Sequence, residues 1–149
     1  MTIDEEVDLL RKIPLFAKVD TAKLKLLAFA SERAVFAPDE TLFNQGDPGD
    51  AAYIIIAGEA EVLIKGPLGP IAVATVGKND FVGEIAILCE VPRTATIRAK
   101  TALTTLRITK DLFLRMLMDF PAIGIEVMRV LAQRLDHTTE RLRDALAQR

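Results

Sequence analysis

The sequence predicts an α+β fold, an antiparallel β-roll of the double-stranded jelly-roll type with helices before it and a long helix after it. Three observations carry that prediction. From Glu32 to Ile108, apolar and β-branched runs of four to eight residues alternate with the turn-forming clusters "APDE", "QGDPGD", "AGEA", "KGPLGP" and "VGKND". These runs follow one another too closely for parallel neighbours, which need a helical crossover between each pair. Helical spacing is confined to the two ends. The expected organisation is one domain over 1–149, with N-terminal helices in 1–31, the roll in 32–108 and C-terminal helices in 109–149. A chain of 149 residues can bury one sizeable core without disulfides or metal.

Each element has a local cause. Thr2 and Glu5 make a capping-box pattern, Asp4, Glu5 and Glu6 suit the positive end of a helix, and Val7, Leu10 and Ile13 recur at helical spacing. Pro14 ends that helix. A second begins near Asp20, presents Leu24, Leu27 and Ala28 on one face, and runs out at Ser31. In the roll, Gly46 and Gly49 mark a turn, and Gly58 separates "YIIIA" from "EAEVLI" where a hairpin or bulge needs positive φ. Thr109 caps a helix that stops at Pro121. From Ala122 to Arg149 the small or apolar positions Gly124, Met128, Leu131, Leu135, Thr138, Leu142 and Ala145 step alternately by four and three. That is the heptad spacing of a helix with one packing seam, and it predicts a homodimer through the last helix.

Composition narrows the function. Lys and Arg number 19 against 21 Asp and Glu, so the chain lacks the positive excess that non-specific nucleic-acid or anionic-membrane binding requires. Cys89 stands alone, which excludes an intrachain disulfide and favours a reducing compartment. The acidic N-terminus is unlike a secretory signal, and no apolar run reaches the roughly 18 to 20 residues of a membrane span. The expected setting is cytoplasmic. A β-barrel metalloenzyme of the cupin type would need several histidines, and His137 is the only one. It is expected to be solvated, as are the charges of the last helix, Glu126, Arg129, Arg134, Arg141, Arg143 and Asp144.

The stretch "FVGEIAILCEVPRTAT", Phe81 to Thr96, carries the chemistry. If Gly83 opens a short helix through "EIAIL", its free N–H groups face an anion, and glycine allows close approach. Arg93 adds a charge-assisted and potentially bidentate contact to the same anion. Thr94 and Ala95 are small enough for the backbone to come near, and the Thr94 hydroxyl is a further donor. This suits a phosphate. Glu84 would repel a phosphate, so its expected partner is an adjacent donor such as a sugar hydroxyl. The bland alternative is a structural Glu84–Arg93 ion pair tying two loops together.

The ordered set F-x-G-E-x-A-x-L and P-R-T-A-T resembles the phosphate-binding cassette of the cyclic-nucleotide-binding domains, found in the cAMP receptor protein and in cyclic-nucleotide-gated channels and kinases. "GDPGDAAYIIIAGEAEV" is similar to the central glycine-marked hairpin of the same family. The resemblance implies that Glu84 takes the ribose 2′-hydroxyl and Arg93 the cyclic phosphate, with Gly83, Ile85, Thr94 and Ala95 completing the cradle. It further implies that Val62, Val73, Ala74 and Val76 line the apolar side of the base. "AQRLDHTTERL" resembles the long helix of the cAMP receptor branch, which implies that adjacent hydroxyls reach the adenine from both subunits, Thr138 on the partner's base and Thr139 on its own. That match favours cAMP over cGMP. The expected function is a non-enzymatic sensor that uses no metal or other cofactor and signals by moving its last helix. In that branch a helix-turn-helix DNA-binding domain follows, and none lies within these 149 residues. The alternatives are the sensor portion of such a transcription factor, or a dimerisation module without a ligand.

Overall fold

The structure, a computed structural model, describes residues 2–148. Helix α1 (Ile3–Arg11) is capped by Thr2, whose Oγ1 accepts the Glu5 N–H at 3.2 Å, and it buries Val7 and Leu10. Pro14 opens a single 3-10 turn, Pro14–Phe16, that drives Phe16 into the core. Helix α2 (Thr21–Ala30) is capped by Asp20, which accepts the Lys23 N–H at 3.0 Å. Strands β1 (Glu32–Phe36), β2 (Thr41–Phe43), β3 (Ala51–Ala57), β4 (Ala60–Gly66), β5 (Gly69–Val76) and β6 (Phe81–Val82) follow. The short α3 (Glu84–Leu88) separates β6 from β7 (Thr96–Ala99) and β8 (Leu103–Thr109). The chain then forms α4 (Lys110–Asp119) and α5 (Pro121–Ala147). Pro121 sits at the first position of α5, where its missing N–H leaves no helical bond unmade.

All strand pairs are antiparallel and make two four-stranded sheets, β1-β8-β3-β6 and β2-β7-β4-β5. Strand β3 explains how the layers stack. Its side chains alternate between faces, so Ala51, Tyr53 and Ile55 fill the space between the sheets, while Ala52 and Ile54 face the helices. Both faces are covered, and for that reason "AAYII" reads as an unbroken apolar run. On the helical side, Leu106, Ile108, Phe113, Met116, Ile123 and Val127 join residues of α1 and α2 in one cluster.

Two backbone features shape the roll. Gly58, between β3 and β4, has φ of +93°, and a Cβ there would run into the carbonyl of Ala102. Between β4 and β5 the register changes, Val62 pairing with Ala74 but Leu63 with Ala72, so Val73 is an extra residue in a β-bulge.

Candidate ligand-binding site

A cavity of about 600 Å³ opens at the mouth of the roll. One wall is the stretch predicted from sequence: Gly83, Glu84 and Ile85 at the start of α3, with Arg93, Thr94 and Ala95 beside them. A second wall is apolar and includes Val62, Ala74 and Val76. The third is α5, which contributes Arg134, His137, Thr138 and Arg141. Among the described residues no group of His, Cys, Asp or Glu side chains is placed to hold a metal ion.

The chain reaches this arrangement through Gly83. Its φ of +88° and ψ of 0° turn the backbone from β6 into α3, and that turn leaves its carbonyl free to accept the Arg93 Nη1–H at 2.8 Å. Arg93 is fixed from both sides. Its N–H donates to the Asp47 carbonyl and its own carbonyl accepts the Gly46 N–H, each at 2.8 Å. Its side chain is 1% exposed: Nη2 donates to the Ala51 carbonyl at 2.7 Å and to Asp50 Oδ1 at 3.2 Å, and the guanidinium lies 3.9 Å from the centre of the Phe43 ring. Burial lowers its pKa from the usual arginine value, and Asp50 opposes that shift. Nε is buried without a partner. An unmet buried donor costs about 1 to 3 kcal/mol, and an anion in the cavity is the natural group to meet it.

Glu84 is 3% exposed, and burial raises its pKa, offset first by Arg134. The Arg134 Nη1–H donates to Glu84 Oε1 at 2.9 Å, Nη2–H donates to the Phe81 carbonyl at 2.7 Å, and the guanidinium stacks 4.6 Å from the Phe81 ring centre. The structural Glu84–Arg93 pair considered from sequence therefore gives way to two separate pairings. Arg93 is held by the roll, and Glu84 is held by α5.

Several placements differ from the sequence expectation. Arg134 and Arg141, read as solvated charges, turn to the cavity, and Arg141 Nη1–H donates to the Val73 carbonyl at 3.2 Å. His137 is exposed yet lines the cavity. Val73 does not line it: as the bulged residue it offers its carbonyl to α5 while Ala74 and Val76 face the space. Thr139 does not line it either, and its hydroxyl donates to the Leu135 carbonyl one turn back. Thr138 faces the cavity of its own chain. Leu131 packs partly against the core, while Ile125, Met128, Leu135, Leu142 and Leu146 are exposed. Sequence reasoning passed over Phe43, Arg134 and Arg141. The available signal was the step from 134 to 138 to 141, which places three polar residues on one helical face.

A roll with this cassette, walled by a long helix, defines a β-roll with a ligand-sized cavity beside the start of α3. The family described as "Cyclic nucleotide-binding domain" matches residues 33–120, and the chain belongs to that family. Its domains are typically regulatory and non-catalytic. A cAMP-dependent protein kinase regulatory subunit of Yarrowia lipolytica is 38% identical over 108 residues, covering 72% of this chain and 28% of the relative. A CRP-like cAMP-activated global transcriptional regulator of Mycobacterium tuberculosis is 29% identical over 140 residues, covering 93% and 62% respectively. A solved cyclic nucleotide-binding domain from Methylobacillus flagellatus is 25% identical with a TM-score of 0.75, covering 93% of this chain and 81% of that one. The chain thus spans between about a quarter and under two thirds of the length of these two curated relatives. Among the described residues no helix is long and apolar enough to cross a membrane.

Proposed function

We propose that this chain is a cyclic-nucleotide sensor that binds cAMP in preference to cGMP and transmits binding through α5. The observation that carries the reading is the pairing at one wall of a buried, unpartnered Arg93 Nε with the buried Glu84 carboxylate. A cyclic phosphate satisfies the first, and the free ribose 2′-hydroxyl donates to the second. The ribose hydroxyl and Arg134 then share one carboxylate, so binding changes what holds α5 to the roll. A ligand moves an equilibrium only by its differential affinity for the two states, and this shared carboxylate supplies the difference. The cAMP preference rests on the resemblance of "AQRLDHTTERL" to the long helix of the cAMP receptor branch and on relatives whose names specify cAMP. Calorimetry with cAMP, cGMP and 2′-deoxy-cAMP is the test. We expect cAMP to bind most tightly and the deoxy analogue to lose about 1.5 to 3 kcal/mol, the worth of a hydrogen bond to a charged group. No heat with any of the three overturns the reading.

The proposal includes a homodimer. The exposed row Met128, Leu135 and Leu142 recurs every seven residues, and covering it with a second α5 removes it from water. Cyclic nucleotide is expected to strengthen that dimer by a coupling of about 1 to 3 kcal/mol. Sedimentation with and without cAMP measures this, and a monomer under both conditions rejects the dimer and leaves α5 a lid on its own cavity. A dimer that ignores every cyclic nucleotide would favour the dimerisation module instead.

A further inference from the structure

We infer that Arg141 reads the six-position edge of the purine and holds down the preference for cAMP by favouring a 6-oxo base. The inference rests on the cyclic-nucleotide reading of the cavity and adds a specificity residue to it. Helix α5 acts as a ruler along the bound ligand. Arg134 marks the ribose level, because it is bonded to Glu84. Arg141 lies seven residues on, about 10.5 Å at 1.5 Å per residue, with Thr138 between them on the same cavity-lining face. A ribose and a purine laid end to end span a comparable distance. The phosphate end is at Arg93, so the base leaves the ribose along the apolar wall of Val62, Ala74 and Val76, beneath α5. At the end of that path the Arg141 Nη1–H is tied to the carbonyl of the bulged Val73 at 3.2 Å. That bond holds the guanidinium over the base wall and uses one of its five N–H groups.

The chemistry of the two bases then decides. Arginine only donates. Guanine offers two acceptors on this edge, O6 and N7, which the guanidinium fork can meet together, whereas adenine offers N7 beside an amino group that is itself a donor. The Thr138 hydroxyl can donate or accept, so it serves either base. Arg141 thus opposes the cAMP preference, and removing it should sharpen that preference.

Three ligands and two variants test this by calorimetry. Cyclic IMP keeps O6 and N7 but lacks the 2-amino group of cGMP, so it separates reading by Arg141 from any contact made to that amino group. In Arg141→Ala, the affinities of cGMP and cIMP relative to cAMP should both fall about tenfold or more. In Arg141→Gln they should fall further, because glutamine can pair with N6 and N7 of adenine. Both replacements are good helix formers at an exposed helical position, so the fold is retained. Unchanged ratios, or a ratio that changes for cGMP and not for cIMP, overturn the inference while leaving the sensor reading intact. A wild type that binds none of the three overturns both.

Discussion

Arg93→Ala should lower cyclic-nucleotide affinity by about 2 to 5 kcal/mol, the range for truncating one member of a buried charge pair. The same change should lower folding stability by about 1 to 3 kcal/mol. The second effect follows from its partners: without the guanidinium the carbonyls of Gly83 and Ala51 lose their donor, and the face of Phe43 loses its stacking cation. Urea unfolding gives the stability term, and calorimetry at a temperature where the variant is folded gives the affinity. Arg93→Lys separates the two roles. It keeps a charge but not the planar fork, so it should retain more affinity than alanine and still release one of the two carbonyls. A folded Arg93→Ala protein that binds cAMP as the wild type does removes the phosphate from this position.

Gly83→Ala should be as damaging by another route. At φ of +88° a side chain costs about 1 to 2 kcal/mol on conformational grounds alone. A Cβ there would also stand 2.7 Å from Arg93 Nη1 and 3.0 Å from the Ala51 carbonyl oxygen. The backbone carbonyl cannot yield cheaply, so the guanidinium must leave its seat. The expected result is a stability loss of about 2 to 4 kcal/mol, with affinity reduced at least about tenfold because Arg93 no longer points where it did. Gly46→Ala is the control. Its φ is +93°, yet nothing lies within 4 Å of the added carbon. That variant should show only the conformational cost, and equal losses in the two proteins would rule out the steric explanation.

Local signals were legible in the sequence wherever one residue type has one physical use. Thr2, Asp20 and Thr109 each cap the helix that the sequence starts there. The turn clusters separate strands that form two antiparallel sheets, and the long C-terminal helix is present. The cassette was legible because glycine, glutamate and arginine in that order have few joint uses. What escaped depended on rotation and register. Consecutive helical residues are about 100° apart, so Leu135 and Arg134 belong to neighbouring faces, and a heptad count that finds the apolar face says nothing about where its neighbour points. Arg134 and Arg141 were assigned to water for that reason. On β5, alternation alone cannot place Val73, because one bulged residue shifts every later side chain to the other face. The Thr139 hydroxyl takes an acceptor within its own helix, one turn back, which its sequence context does not reveal.

Helix α5 is 27 residues long, about 40 Å at 1.5 Å per residue, yet only Ile123 and Val127 among its residues are buried. Val130 and Leu131 add partial packing, and beyond them Arg134 and Arg141 tie the helix to the roll by hydrogen bonds. The two halves of one helix are therefore held by different forces. The first half is rooted by apolar contact, which salt does not screen. The second is held by a one-third-exposed guanidinium and an exposed one, in a medium whose Debye length shrinks from about 10 Å at 0.1 M to about 3 Å at 1 M ionic strength. Raising the ionic strength should therefore weaken the hold on the second half of α5 more than the hold on the first, a difference that hydrogen exchange along the helix at low and high salt would read.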